Sequence, residues 1–310
     1  MRPWILIDFS FIAHKAMHSM RGLEFSDMIT GMIFGVFEQI RSICVDPLVK
    51  SNRVCIFFDS KQSYRRRAYP DYKAHRRKAA TDDEIARLDV MHQMSDLLRT
   101  EILDAIGMPT YRQTGLESDD LIAKAAKSLE EVWSDDKQCV IIAADSDLYQ
   151  CISKHTHWYD PGRAKYYDDL KFWASFEIDA SLWGRVKAIA GCSTDNVKGV
   201  KGVGQQTAIA YLVGNLPSSR KRYIDITCAN GRMIEKRNSA LVVLPHAKTK
   251  PIELKEPHYN PDAFWQMCKR FGFQSYLEGA AHREWERIFS GAAIRTGIPP
   301  ARYRGKRGSL

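Results

Sequence analysis

The sequence predicts an α/β protein: a mostly parallel central sheet with helices on both faces, followed by a smaller helical region. Three observations carry this prediction. In the first half of the chain, short apolar segments with strand composition alternate with longer segments of helical periodicity. From about Ser181 onward the pattern changes to helices and turns, and glycines crowd into positions 191–204. The length of 310 residues is enough for about two domains.

Three short apolar segments predict buried strands, and each ends at an aspartate. They are Trp4–Ile7 before Asp8, Val54–Phe58 before Asp59, and Val140–Ala144 before Asp145. Each segment is too short for a helix and is rich in β-branched or aromatic residues. Ligands of parallel sheets bind beyond the carboxyl ends of the strands, so we expect these aspartates to lie together at a binding edge.

Helical periodicity separates the strands, which predicts crossover helices that cover the sheet. The predicted helices run roughly over 27–43, 84–106 and 118–133. Residues 230–256 are polar and interrupted by prolines, which predicts an exposed loop. The predicted parts of the chain are an α/β core over 1–178, a helical region over 179–300 and a basic tail over 301–310.

Composition excludes several classes of protein. Hydrophobic residues make up 45% and charged residues 27% of the chain, which is typical of a globular rather than a disordered protein. No apolar run approaches the roughly 18 residues that span a bilayer, and Asp8 comes too early for a secretory signal. The seven cysteines include no C-x-x-C pair, which favours free thiols in a reducing compartment. We therefore expect a cytoplasmic protein without a membrane partner.

The net charge of +9 and its distribution indicate a polyanionic partner. Between positions 61 and 78, eight basic residues stand against a single acidic one, and three tyrosines lie among them. Cations that contact phosphates and aromatic rings that stack on bases are features of proteins that bind single-stranded nucleic acid. A solvated, charged face is the alternative explanation for such a run.

Acidic residues form a second candidate site. Besides the strand-end aspartates, acids occur in Gly115–Asp120, which opens a helix, and at Asp147 and Asp195. Singly, such residues can be turn or helix-cap residues. Together at one sheet edge they would repel one another unless cations neutralised them, and oxygen ligands select Mg²⁺ or Mn²⁺. Two such ions about 3.5–4 Å apart support in-line phosphodiester hydrolysis.

Six sequence segments, weak singly, are specific as an ordered set. They are Ile7–Ala13, Phe57–Asp59, Tyr69–Arg76, Gly115–Asp120, Ala144–Leu148 and Ser193–Ala208. In this order they resemble the 5′-nuclease family: bacterial and phage 5′→3′ exonucleases, flap endonucleases, and the nuclease domain joined to bacterial DNA polymerase I. The resemblance covers roughly residues 4–215. It implies hydrolysis of DNA at 5′ ends, flaps or nicks to 5′-phosphate and 3′-OH products, with an RNA primer strand as an alternative.

The resemblance also implies metal ligands and catalytic cations. The first metal site would consist of Asp8, Asp59, Glu117 and Asp119. The second would consist of Asp120, Asp145, Asp147 and Asp195, with Asp119 shared. Two Mg²⁺ ions would occupy these sites, with Mn²⁺ as a substitute. Lys73 and Arg76 would be catalytic basic residues near the scissile phosphate, and Lys15 would be a third catalytic cation, at the position where a basic residue follows the first aspartate.

Two DNA-binding segments follow from the same resemblance. Residues at about 61–95 match a helical arch that passes a 5′ single strand, and its DNA contacts would be Arg65, Arg66, Arg67, Tyr72 and Arg77. A helix–hairpin–helix whose amides hold duplex phosphates, often with a bound K⁺, would use Gly199, Gly202, Gly204 and Gln205. Glycine suits such a hairpin because no Cβ keeps the backbone from the phosphate.

Two positions depart from the family pattern. Cys192 replaces one acid of the family's Gly-Asp-x-x-Asp-Asn sequence, and a thiol suits Mg²⁺ poorly. Because Asp195 remains, we expect a weakened second metal site. Gln205 and Gln206 stand where the hairpin often carries a lysine, which removes one phosphate contact.

Two other functions stay open at this point. A ribonuclease of the PIN class would share the acidic sheet edge, although a minimal PIN domain carries neither the basic arch nor the glycine hairpin. A catalytically weak DNA-junction binder is the other, supported by Cys192 alone and opposed by the retained acids. We expect a monomeric, free-standing nuclease without an attached polymerase, and a phage-encoded origin fits that compact form.

Overall fold

The computed structural model describes residues 2–19, 24–25, 28–74, 81–131 and 138–292, and only the backbone of 24–25, 28–29 and 82–87. The predicted α/β class is confirmed by its central six-stranded sheet. The strands are β1 (Trp4–Asp8), β2 (Arg53–Phe57), β3 (Thr110–Tyr111), β4 (Cys139–Ile142), β5 (Thr156–Asp160) and β6 (Lys165–Tyr167). Their order is β3-β2-β1-β4-β5-β6, and only the pairing of β5 with β6 is antiparallel in this sheet.

Helices cover both faces of the sheet. Those before β5 are α1 (Phe9–Ser19), α2 (Gly31–Val45), α3 (Tyr64–Ala68), α4 (Asp82–Leu97), α5 (Leu103–Ile106) and α6 (Ser118–Glu130). Those after β6 are α7 (Asp169–Phe176), α8 (Trp183–Ala190), α9 (Gln205–Leu212), α10 (Lys221–Thr227), α11 (Ala229–Val242), α12 (Pro261–Arg270), α13 (Gln274–Leu277) and α14 (Gly279–Ser290). None of these described helices is long and apolar enough to cross a membrane.

The central strands are buried on both faces, as their continuous apolar sequences predict. Ile5 and Ile7 of β1 face the core formed with α1 and α2, whereas Leu6 faces the core formed with α6 and α8. The same alternation holds for β2 and β4, because successive side chains of a strand point to opposite faces. Burial on both faces is typical of parallel sheets, whose crossover helices cover them.

Some boundaries differ from the predicted ones. The first predicted helix begins at Gly31 rather than at residue 27, because residues 28–29 pair with 24–25 as short antiparallel strands. The second predicted helix, over 84–106, is divided by a π-helical turn at Leu98–Ile102. Gly107 ends it with a φ of +78°, and a Cβ there would lie 1.9 Å from the carbonyl oxygen of His258. Glycine is therefore required both for the turn and for this close approach.

The chain after Trp183 divides between the two faces of the sheet. Helices α8 and α11 pack with the α6 face, whereas α12 to α14 pack against α2 through Phe264, Tyr276 and Trp285. The predicted exposed loop at 230–256 is partly wrong, because α11 occupies its first half and buries Leu241 and Val242. We call the following extended segment, residues 243–260, the strap. It runs beside β3, where the Lys255 N–H donates to the Tyr111 hydroxyl at 2.7 Å.

Candidate metal centre and nucleic-acid interface

Acidic side chains meet at the carboxyl edge of β1 and β2. Asp8 ends β1, Asp59 lies two residues beyond β2, and Glu117 and Asp119 lie at the first turn of α6. Ser118 links them: its N–H donates to Asp59 at 2.8 Å and its hydroxyl to Asp8 at 3.0 Å. The structure therefore brings together the four residues of the predicted first metal site. Sequence analysis did not single out Ser118 as a residue of the site. Its position between two candidate ligands, Glu117 and Asp119, was the signal that could have identified it.

The carboxylates of this first group destabilise one another. Burial and the neighbouring charge of Asp59 raise the pKa of Asp8 to about 7. Burial, followed by the charges of Asp145 and Asp8, raises the pKa of Asp119 well above its usual value. One buried oxygen of Asp119 has no hydrogen-bond partner among the described residues. Oxygen ligands in this arrangement fit a divalent cation, which would satisfy that oxygen and relieve the repulsion.

A second acidic group lies beyond β4. Asp145 caps the short helical turn Ser146–Cys151 and accepts the Asp147 N–H at 2.8 Å. Ligand atoms of Asp147, Cys192 and Asp195 lie within 4.8 Å of one another. Burial and the charge of Asp145 raise the pKa of Asp147 to about 6. This group contains three of the four predicted second-site acids.

Cys192 lies where the family pattern places an acid. It is 4% exposed, and burial together with the Asp147 charge raises the pKa of its thiol. The thiol is therefore neutral at physiological pH, and it offers a hard cation less than a carboxylate would.

Lys187 is a residue that the sequence did not single out. From the last turn of α8, its ammonium donates to the Ser146 hydroxyl at 2.9 Å and lies 2.8 Å from Asp147. It supplies a fixed positive charge to the second acidic group. No sequence signal identifies it, because the contact joins residues forty positions apart.

Tyr72 and Lys73 connect the two acidic groups. The Tyr72 hydroxyl lies 3.0 Å from Glu117 and 3.1 Å from Asp195. The Lys73 ammonium donates to Glu117 at 2.7 Å and lies 3.8 Å from Asp195. Burial opposes ionisation of Glu117, but the charges of Lys73 and Arg65 outweigh it and lower the Glu117 pKa. Tyr72 is 2% exposed, so the structure corrects its prediction as a DNA contact: its ring is buried rather than available to a base.

Arg65 and Asp120 form a buried ion pair instead of contacting DNA and metal. Their side chains are 3% and 0% exposed, and the Arg65 guanidinium reaches both Asp120 oxygens, one of them at 2.7 Å. Arg65 also donates to the Leu241 carbonyl at 2.7 Å, and Asp120 accepts the His246 N–H at 2.7 Å. These contacts occupy both groups, so Asp120 is removed from the candidate metal ligands and Arg65 from the candidate DNA contacts.

The other predicted cations are distributed differently. Arg66 is half-buried and Arg67 is exposed on α3. Lys15 is exposed on α1, and its ammonium lies beside Gly162 in the turn between β5 and β6. Arg76 and Arg77 lie outside the described residues, as does the predicted basic tail.

The glycine hairpin joins α8 to α9. At Gly199 a Cβ would lie 2.2 Å from the Ala190 carbonyl, so glycine permits the two arms of the hairpin to touch. Gly202 has a φ of +71°, and the Arg222 guanidinium occupies the space where its Cβ would be. Gly204 precedes α9 and faces open space, and Gln205 begins the helix and is exposed. The backbone at Gly204 and Gln205 is exposed.

One cleft runs from the acidic edge to the hairpin. Its lining includes Asp8 and Asp145 of the two acidic groups, and Lys187, Cys192 and Gln205. A ligand in this cleft would contact both acidic groups and the beginning of α9.

The chain matches known proteins over most of its length. A family model described as 5′-3′ exonuclease, N-terminal resolvase-like domain, matches residues 3–177. A 5′-3′ exonuclease of Buchnera aphidicola subsp. Schizaphis graminum is 26% identical over 272 residues, which cover 86% of both chains. The thermostable DNA polymerase I of Thermus aquaticus is 29% identical over 205 residues; these are 66% of this chain but only 23% of that polymerase.

Solved structures share the fold. A complex of a bacteriophage T5 flap endonuclease variant with DNA and metal ions superposes with a TM-score of 0.62 at 16% identity, over 93% of this chain and 98% of that one. The family model covers more than half of the chain. This chain therefore belongs to the family of 5′-3′ exonucleases with an N-terminal resolvase-like domain.

Proposed function

We propose that this protein is a structure-specific 5′ nuclease that hydrolyses DNA phosphodiesters to 5′-phosphate and 3′-OH products. The observation that carries the proposal is the meeting of two buried acidic groups at one sheet edge, bridged by Lys73. The names of the relatives, an exonuclease and a flap endonuclease bound to DNA and metal ions, support the same reaction and substrate.

Seven acids would hold two divalent ions, which we propose to be Mg²⁺ with Mn²⁺ as a substitute. The first group comprises Asp8, Asp59, Glu117 and Asp119, and the second comprises Asp145, Asp147 and Asp195. When bound, such ions supply an activated water and neutralise charge on the phosphate. The orphaned Asp119 oxygen and the raised pKa values of Asp8 and Asp147 support this ligand set.

The protein's own cations would act on the reacting phosphate. The charges of Glu117 and Asp195 outweigh burial and raise the pKa of Lys73, so this residue stays protonated at any physiological pH. A fixed ammonium stabilises the negative charge that develops on phosphate oxygens during displacement. Tyr72 keeps its hydroxyl between the same two carboxylates and so holds the Lys73 backbone in place. Lys187 would neutralise part of the negative charge of the second acidic group, to which Cys192 adds none.

The glycine hairpin would bind the duplex part of the substrate. The amides that begin α9 are exposed beside Gly204, and such N-termini attract phosphates. We include in this proposal a K⁺ at the hairpin, a primer RNA strand as an alternative substrate and a monomeric, intracellular protein. The free cysteines, six of the seven at least partly buried, support a reducing location. Equal duplex affinity in K⁺ and Na⁺ buffers would contradict the K⁺ site.

Cleavage of an end-labelled 5′-flap DNA, with Mg²⁺ or with EDTA, tests the proposal. We expect Asp8→Ala, Asp59→Ala and Asp145→Ala each to abolish cleavage while junction binding persists. Asp262→Ala, on α12 and outside both acidic groups, is the matched control and should cleave normally. Wild-type turnover in the three site variants would overturn the site.

An RNA hairpin in the same assay separates the alternatives. Preferential cleavage of RNA would favour the PIN-class ribonuclease. Binding of the flap DNA without cleavage under any metal would favour a junction binder. Cys192 and Lys187 support this alternative, because the neutral thiol and the nearby ammonium both lower the attraction of the second acidic group for a cation.

A further inference from the structure

Cys192 gives the second acidic group a mixed set of donor atoms. Its sulfur and carboxylate oxygens of Asp147 and Asp195 lie within 4.8 Å of one another, and all three side chains are buried. Mg²⁺ prefers oxygen ligands alone, whereas Zn²⁺ binds thiolate sulfur and accepts carboxylate oxygen as well. The donor set of this group therefore disagrees with Mg²⁺ and agrees with a thiophilic divalent ion.

The spacing of the donor atoms suits such an ion. Zn²⁺ forms bonds of about 2.3 Å to sulfur and about 2.0 Å to oxygen, which in tetrahedral geometry separates the two donors by about 3.5 Å. The Cys192 Sγ lies 3.9 Å from the Asp147 Oδ2, so a shortening of about 0.4 Å brings this pair to that separation. The third donor is held close by the backbone, because Cys192 directly precedes the turn Ser193–Asp195 and pairs with Val197 across it.

The charges around the group oppose a hard ion more than a thiophilic one. The Lys187 ammonium lies 2.8 Å from Asp147, and the Lys73 ammonium lies 3.8 Å from Asp195. Each of these two carboxylates therefore already faces a positive charge. Mg²⁺ is held by charge, and both ammoniums reduce that attraction. A thiophilic ion gains a bond to sulfur in addition, and that bond depends less on the charge of the site.

The surroundings of the Cys192 sulfur suit a metal-bound thiolate. The Thr194 Oγ1 lies 3.0 Å from the Sγ, and a hydroxyl at that distance can donate a hydrogen bond to an anionic sulfur. Cys192 also lines the cleft that holds Asp8 and Asp145. Three protein ligands with a fourth position left for water or substrate are typical of catalytic rather than structural zinc sites.

We propose that Asp147, Cys192 and Asp195 form a thiolate-containing metal site that takes a thiophilic divalent ion of the Zn²⁺ class. This inference rests on the proposed function and refines it: Mg²⁺ belongs to the first acidic group, and the second group selects the softer ion. As the ion binds, a metal–sulfur bond replaces the S–H bond of Cys192, and the proton leaves to solvent.

Anaerobic titration of the metal-free protein with Co²⁺, in the presence of excess Mg²⁺, tests this site. Co²⁺ accepts the same ligands as Zn²⁺, and a cobalt–thiolate bond gives a near-ultraviolet charge-transfer absorption that carboxylate ligands do not give. We expect the absorption of the wild type to saturate at about one Co²⁺ per chain and to disappear when Zn²⁺ is added. Excess Mg²⁺ should leave it in place.

Substitutions of Cys192 assign the absorption to this sulfur. C192S keeps the size of the side chain but removes the soft donor, and it should abolish the absorption. Its dissociation constant for Co²⁺, measured by calorimetry, should rise at least about tenfold, the lower limit for losing a group that merely orients a metal ligand. C192D should also lack the absorption, and Mg²⁺ should then displace Co²⁺. C228S makes the same change at an exposed cysteine outside both acidic groups and should match the wild type.

The wild-type spectrum and the variants give distinct outcomes. No charge-transfer absorption in the wild type, or equal absorption in C192S, would overturn the proposal and leave Cys192 as a packing residue. The first of these results needs no variant, so misfolding of C192S cannot obscure it. If the absorption appeared as expected but flap DNA was not cleaved with any metal, the proposed nuclease function would fail and the metal site would stand. Cleavage with Mg²⁺ by a protein that shows no absorption would have the opposite meaning.

Discussion

Replacement of Arg65 by methionine separates a structural role from a DNA-binding role. Arg65→Met keeps a side chain of similar length but removes a guanidinium that makes contacts with Asp120 and with the Leu241 carbonyl. Asp120 would remain, with no exposed surface through which water could reach it. The substitution therefore leaves an unpaired buried charge.

The expected cost follows from these contacts. Breaking a buried pair by removing one partner costs about 3–5 kcal/mol. The N–H groups of His246 and Glu117 still donate to Asp120, at 2.7 and 3.3 Å, and offset part of the loss. We expect the free energy of unfolding to fall by about 3 kcal/mol. That is a large part of the usual stability of about 5–15 kcal/mol.

Urea denaturation followed by tryptophan fluorescence measures this change. Arg67→Met is the matched control, because Arg67 is exposed on the same short helix and should cost less than about 0.5 kcal/mol. Asp120→Asn and the double variant complete a mutant cycle, in which a coupling of more than about 1 kcal/mol is expected. If Arg65→Met unfolded like wild type and instead lost DNA affinity in a salt-dependent way, the buried-pair interpretation would be refuted.

Further predictions concern the acidic groups and their cations. Because the folded pKa values of Asp8 and Asp147 are raised to about 7 and about 6, the metal-free protein should lose stability as pH rises from 5 to 8. The gain in Tm on adding Mg²⁺ should accordingly be larger at pH 8, and an equal gain at pH 5 would contradict this. Lys73→Met should lower the single-turnover rate of flap cleavage at saturating enzyme about 100-fold, with little change in duplex binding; an unchanged rate would limit Lys73 to binding. Cys192→Asp should lower the Mg²⁺ concentration for half-maximal rate, because an anionic oxygen attracts a hard cation more than a neutral thiol does. Identical midpoints would instead support a packing role for Cys192.

Local sequence patterns were sufficient to predict the central strands of the sheet and most of the acids at its carboxyl edge. The strands around Asp8, Asp59 and Asp145 could be predicted because apolar runs and strand–helix alternation are properties of neighbouring residues. Because these strands run parallel, their carboxyl ends lie at the same edge of the sheet. The glycine hairpin was predictable for a similar reason, since close backbone approach at Gly199 and a positive φ at Gly202 both require glycine.

Only the tertiary structure decided how each charged side chain is used. Arg65 and Asp120 both match the family's sequence pattern, yet they neutralise each other across 55 positions of the chain. Lys187 reaches Asp147 across another long separation, of forty positions. In each case the partner is chosen by three-dimensional packing and by the cost of burying an unpaired charge. Residue type and spacing contain no information on packing or on burial. The sequence therefore identifies the acids and bases but not their partners.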